Sequence, residues 1–447
     1  MHVRRDKTWR NGGCGRVCLV SMLAAVGVAR AAPLRYAIEP GNQLVYERRV
    51  RVESSADGRV LERYSEQLRL WALDRQENKL LLIAESLRAV GDRAGPARGV
   101  VFHMDYRGRL DMAGEVLPVA WRVRPVFDLL PVLPPAFDAG RRWESPPDVF
   151  GHRWRFRRQG ADAAHGGAER VDFEVVDTTG VWAVAGISER GALWFDTNTG
   201  RVVRLESRRL DTRRHRRTHA VVRLFEEQQM SPAWCRRRAA EAEKYLYTLR
   251  LEHRLRDRVG QEPDRIGALL RGLDRIWTER LREMPPASGS PLRKWARDQR
   301  RRLRDQADVL RARARIAQRW LTTPVRPPAA TRPAASGGKQ GPRVVLMAYC
   351  HAASVESLRA LHTLCEVRQV LPAEDFRVVC RPVGGESALS EIATLCGRVP
   401  VLPAAPGETI PPEVLPAFRV LTPNGRTLRV YFGSQPGLAR KLRPLVP

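Results

Sequence analysis

Arg343-Val-Val-Leu-Met-Ala-Tyr349, then Cys350, a helical pattern from Ser354 to Val370, and Phe376-Arg-Val-Val-Cys-Arg-Pro382 form the stretch on which the fold turns. Two short apolar runs flank a segment whose apolar residues recur at helical spacing, which reads as a βαβ unit. A helix joining two strands of one sheet returns the chain to its starting end, so the strands are expected to pair in parallel with a right-handed crossover. Glu386 to Cys396 reads as a second short helix. Pro416 then introduces a hairpin: Phe418 to Leu421, a Pro423-Asn424-Gly425 turn, and Leu428 to Phe432 ending at Gly433. Asn-Gly tolerates the positive φ that such turns need. Gln435 to Leu442 reads as a closing helix.

Outward from this segment, residues 323–342 are rich in Pro, Ala, Gly and Ser, with almost no apolar content beyond Val325. That is the composition of an extended, flexible linker. The last domain is therefore expected to run from 343 to 447.

The order β-α-β-α-β-β-α over 343–447 resembles the thioredoxin-like fold family, with a Cys just after the first strand, a Pro opening the third and an Asn-Gly hairpin. In that family a Cys-x-x-Cys motif sits where the first strand enters the first helix. The matching stretch here is Cys350-His351-Ala352-Ala353, so the second cysteine is missing. The family's proline before the third strand is a cis residue facing the active-site cysteine, and Pro416, after Leu415, matches it. The resemblance thus makes Cys350 the candidate nucleophile and Pro416 the candidate cis-proline beside it. A thiolate at a helix N-terminus is stabilised by exposed amides and the macrodipole, and His351 could add charge. Without a resolving neighbour, the two-electron cycle of a dithiol cannot run inside the motif. Cys365 lies fifteen residues further along, about 22 Å away on a helix, which excludes it as a substitute. Cys380, near the end of the adjacent strand, could pair with Cys350 if the side chains face each other across the strand ends. Otherwise Cys365, Cys380 and Cys396 read as small buried apolar residues.

At the other end, Arg4, Arg5, Lys7, Arg10 and Arg16 precede the apolar run Val17 to Ala29, followed by Ala29-Arg30-Ala31. This is the pattern of a secretory signal peptide over residues 1–31. The run is short of the ~20 residues that cross a bilayer, and no later segment is apolar for long enough. The mature chain is expected to be exported, periplasmic or secreted, without a transmembrane helix. It would keep Cys235, Cys350, Cys365, Cys380 and Cys396, an odd number in a compartment that permits disulfides.

Between these ends, residues 32–230 read as antiparallel β. Alternating runs at Gln43 to Val52, Tyr64 to Leu73, Lys79 to Val90, Val100 to Tyr106, Arg153 to Arg158, Val171 to Val176, Val181 to Ile187, Ala192 to Phe195, Val202 to Leu210 and Ala220 to Phe225 are separated by turn signals such as Asp57-Gly58. So many consecutive strands imply a sheet curved or closed on itself. At Ser231-Pro232 the period changes to about 3.6. Residues 231–322 read as an Arg-rich helical region, with helices through Tyr245 to Leu255, Arg265 to Arg282 and Leu292 to Leu321. The fold class is therefore multidomain α+β: a β-rich part, an Arg-rich helical region and a C-terminal α/β thioredoxin-like domain.

A chain of 447 residues is long enough for two or three such domains. With 78 Lys and Arg against 49 Asp and Glu, its formal net charge is +29. That balance fits solvated arginines spread over every region, or an anionic partner. The helix faces Arg300 to Arg304 and Arg311 to Arg319 are candidates to grip an acidic lipid surface or envelope polysaccharide. Nucleic acid is not the expected partner, because export conflicts with it and no aromatic platform is evident. No cofactor or metal motif appears. His215 and His219 have no carboxylate between them, and His103, His152, His165, His253 and His362 lack companions at ligand spacing. Two functions stand: a monothiol thiol-disulfide protein acting on a partner's sulfur through Cys350, or a redox-inert binding module for a cell-envelope component.

Overall fold

The computed structural model describes residues 34–90, 93–94, 98–111, 124–134, 141–146, 153–176, 187–212, 214–284, 290–325, 344–351, 355–372, 376–383, 399–402, 410–433, 435 and 437–445. The signal-peptide region, most of the linker, the run from Val181 and the expected helix at 386–396 lie outside them.

Strands β1 (Asn42–Ser54), β2 (Val60–Gln76), β3 (Lys79–Val90), β4 (Arg93–Ala94), β5 (Arg98–Asp105) and β6 (Leu110–Asp111) meander outward from the middle of one large sheet. After helix α1 (Arg124–Asp128) the chain restarts at the far edge. It runs back through β7 (Arg142–Glu144), β8 (Trp154–Asp162), β9 (Ala168–Val175), β10 (Ile187–Asp196), β11 (Arg201–Asp211) and β12 (Arg216–Gln229). There β12 pairs antiparallel with β1, from Asn42 opposite Gln229 to Ser54 opposite Arg216, which joins the two meanders. The described strands form an open path ending at β6 and β7. Period-two patterning explains its two faces: Leu44, Tyr46, Val50 and Val52 are buried on one side of β1, while Glu47, Arg49 and Arg51 alternate to the other.

The buried face is covered by four helices: α2 (Pro232–Val259), α3 (Ile266–Glu283), α4 (Pro291–Asp305) and α5 (Ala307–Thr322). Ser231 caps α2, its side chain accepting from the Trp234 amide at 3.3 Å, with Pro232 in the first turn. Ala242, Leu246, Leu273, Trp277, Trp295 and Leu303 enter the same apolar core as the strands, so these helices share a core with the sheet. On β5, Gly99 lets α4 lie directly on the sheet, since a methyl group there would sit 1.6 Å from Trp295 Cζ2. Among the described residues, the carboxylate deep among the helices is fully answered: Glu252 accepts from Trp277 Nε1 (2.8 Å), Arg256 Nε (2.8 Å) and Gln299 Nε2 (2.9 and 3.0 Å).

The single helix expected from Leu292 to Leu321 is instead two, parted at Gln306. The break redirects the second half: Leu303 and Leu310 still serve the large core, while Ile316, Ala317 and Trp320 belong to another.

That other core lies on a four-stranded sheet of order β14-β13-β15-β16. It is built from β13 (Val344–Cys350), α6 (Val355–Val370), β14 (Phe376–Pro382), β15 (Ala417–Leu421), β16 (Thr427–Phe432) and a short α7 (Leu438–Leu442). β13 and β14 are parallel, and β15 runs antiparallel to β13 and β16. Every residue of β13 is buried, because both faces are covered. Leu346, Ala348 and Cys350 pack with residues of α6 and α7, whereas Val345, Met347 and Tyr349 pack with α5. Arg419 fastens that side. It is 1% exposed, donates from Nη2 to the carbonyls of Trp320 (2.9 Å) and Thr323 (2.6 Å), and from Nε to Thr427 Oγ1 (2.8 Å). The molecule is thus multidomain α+β, with a large antiparallel sheet, a helical layer and a small mixed sheet.

Candidate functional site

Cys350 is the last residue of β13 and is 0% exposed. The strand register places it opposite Pro382 of β14. On its other side Tyr349 pairs with Ala417, so one step further Pro416 stands opposite Cys350. The Leu415–Pro416 peptide is cis. The Cys350 carbonyl accepts from the Val383 amide at 2.8 Å. Its side chain belongs to the cluster formed by Leu346, Leu361, Leu364, Phe418 and Leu438. Helix α6 begins at Val355, so Cys350 precedes its first turn, where a dipole acts most strongly. His351 is half-buried just beyond the strand end.

Cys380 stands opposite Ala348 and is also 0% exposed. It shares a sheet face with Cys350, but two residues further back along the strand direction. About 4.8 Å across and 6.6 Å along the strands separates their Cα atoms by roughly 8 Å, beyond the reach of a disulfide. Both stand as thiols. The condition for a strand-end pairing, side chains facing each other, is therefore not met: parallel register sets the two cysteines diagonally, and Cys380 is a small buried residue. The backbone of Cys380 is engaged as well, donating to Pro400 and accepting from Leu402, each at 2.9 Å. Cys396 and the Cys365 side chain lie outside the described residues. Cys235, on α2, is buried far along the chain from both, and burial pushes its thiol pKa up.

Neither a comparison with protein families nor one with curated proteins finds a match for this chain. Among solved structures, one provisionally described as a thiol:disulfide interchange protein DsbE from Chlorobium tepidum is similar over 23% of this chain and 76% of that chain, at 16% identity and a TM-score of 0.20. The likeness is to a thioredoxin-like element at most.

The histidines form no metal cluster among the described residues. His103 contacts Glu243 at 3.1 Å, and His253 lies 3.2 Å from Lys441 Nζ. Of the basic helix faces, Arg300 and Arg304 are both spent on Asp274, at 2.8 and 3.2 Å. Arg300 holds the Asp274 carboxyl below the usual carboxylate range.

Strand register brings together a set of residues that sequence reading left scattered. On the face of the large sheet opposite the core, a groove of about 840 Å³ crosses β7 to β12. Arg190 faces Arg208 across one strand pair, Arg208 faces His219 across the next, and His219 faces Arg51 of β1. Arg157 enters from β8. The exposed Arg157, Arg190 and Arg208 make no ion pair among the described residues. At the rim, Asp162 accepts from Trp194 Nε1 (2.7 Å) and contacts His165 (2.9 Å), which together hold its carboxyl below the usual range. Each arginine alone reads as a solvated strand residue, and only the pairing aligns them.

Proposed function

We propose that this chain is an exported binding protein whose C-terminal thioredoxin-like unit performs no thiol chemistry in its folded state. The observation that carries the reading is Cys350 at 0% exposure inside an apolar cluster. Attack on a partner's sulfur requires a thiolate that the partner can reach, and an apolar surround disfavours the charged form. A partner would have to displace part of the packing of β13 before reaching this sulfur. The absence of a cysteine at Ala353 removes the resolving step as well. The unit then serves as a packed scaffold against which α5 docks. Export rests on the pattern of residues 1–31, and no helix among the described residues is long and apolar enough to cross a membrane.

Reduction of insulin disulfides by dithiothreitol tests this reading. The protein should not accelerate the reaction beyond its Cys350→Ala variant. Catalysis by the natural chain that Cys350→Ala abolishes would restore the thiol reading.

A further inference from the structure

We propose that the arginine-lined groove across β7 to β12 binds an acidic polysaccharide, a sugar polymer carrying closely spaced carboxylates. The inference rests on reading the chain as a binding protein and assigns that reading a site and a ligand class.

Without a ligand the groove is costly. Like charges directly opposite on neighbouring strands repel. Here Arg190, Arg208, His219 and Arg51 follow one another on four adjacent strands, with Glu174 opposite Arg190 at the β9 end of the row and no carboxylate between Arg190 and Arg51. Arg51 has an ion pair with Glu53, but Arg190 and Arg208 have none among the described residues. The row's field is felt at His219, whose pKa is lowered first by burial and then by Arg208, Arg217 and Arg51, against the opposite pull of Glu53. An anion laid along the row would relieve this repulsion, and guanidinium groups can meet a carboxylate with two parallel hydrogen bonds.

The other residues of the lining select the class of anion. Asp172, Glu174 and Glu206 are interleaved with the arginines. They would repel a backbone as densely charged as polyphosphate, which has no hydroxyl to offer, whereas a polymer of sugar acids also brings hydroxyls from which these carboxylates accept hydrogen bonds. The groove also lacks a stacking platform for bases. Trp194 is 5% exposed, with His165 at 4.4 Å and the guanidinium groups of Arg170 and Arg204 at 5.8 and 5.5 Å from its ring. Small residues, Gly191, Ala192, Ser207 and Ala220, contribute to the lining and present no broad apolar surface to a lipid tail. Strands about 4.8 Å apart give a linear polymer regularly spaced cations running across the sheet.

The test is calorimetric binding of the full chain to polygalacturonate at about 0.15 M salt, with methyl-esterified polygalacturonate and inorganic polyphosphate as comparison ligands. The acidic polymer should bind and the neutral ester should not. Arg190→Gln with Arg208→Gln should weaken binding by about tenfold or more, while its melting temperature stays level or rises because repulsion is removed. Arg301→Gln with Arg315→Gln, which takes the same charge from the helices, should leave affinity unchanged. No binding, equal weakening by both pairs, or polyphosphate bound as tightly through the same arginines would overturn the assignment. A reactive Cys350 would overturn the thiol-inert reading yet leave this affinity as it is, so the two failures are distinguishable.

Discussion

Glu85 shows how a single side chain on the large sheet can report on its burial. It is 6% exposed on β3, opposite Arg69 on one side and Gly99 on the other. Burial raises its carboxyl above the ordinary value of 4.5, against the lowering pull of Arg69 and Lys294. A raised folded pKa means that the group's contribution to stability is present below the unfolded value and is lost as pH climbs through the folded one. Glu85→Gln, which mimics the protonated form, should therefore melt higher than the natural chain at pH 7 and no higher at pH 4. Equal melting temperatures at both pH values would show that the carboxylate is not penalised. Some features at this scale are legible in sequence: Ser231-Pro232 reads as a helix start because its chemistry is local, and Asp57-Gly58 reads as a turn for the same reason. Cys350 is different. Its position beside a strand end is legible, but whether water reaches its sulfur depends on Phe418 and Leu438, residues 68 and 88 positions away. No local signal carries that information.

Among the elements, α5 has the most consequential placement. Its sequence lies before the linker, yet Ile316, Ala317 and Trp320 cover one face of the small sheet, with Trp320 stacked on Tyr349 at 4.8 Å between ring centroids. Removing the indole leaves a cavity among Tyr349, Met347 and Val430. Trp320→Ala should cost about 3–5 kcal/mol in urea unfolding of the C-terminal unit; a loss within experimental error would show that α5 does not hold this face. A fragment of residues 307–447 should likewise resist proteolysis better than one of 343–447, whose Val345, Met347 and Tyr349 lose their cover. Equal resistance would count against the same claim. The strands were largely readable because alternation with period two persists whatever the partner. The break at Gln306 was not, because both halves of that segment are amphipathic, and only the presence of two separate cores dictates that the chain should turn between them.

At the scale of the whole molecule, the large positive charge has a spatial order that composition hides. Arg300 and Arg304 answer Asp274 within the helical layer, while Arg157, Arg190 and Arg208 converge on an open sheet face. The fold class was legible because hydrophobic periodicity switches from strand to helix and back along the chain. The groove was not, because it is assembled by β12 returning to pair with β1 and by the register of five further strands. Within the whole, Cys350 is sealed inside the packed C-terminal unit. Iodoacetamide labelling of the native chain at pH 8.5, where an ordinary exposed cysteine is about half thiolate, tests it most directly when Cys350 is read by peptide mass spectrometry. Cys350 should stay unmodified in the folded protein and label readily once denaturant opens the core; rapid modification of Cys350 in the native chain would contradict the account.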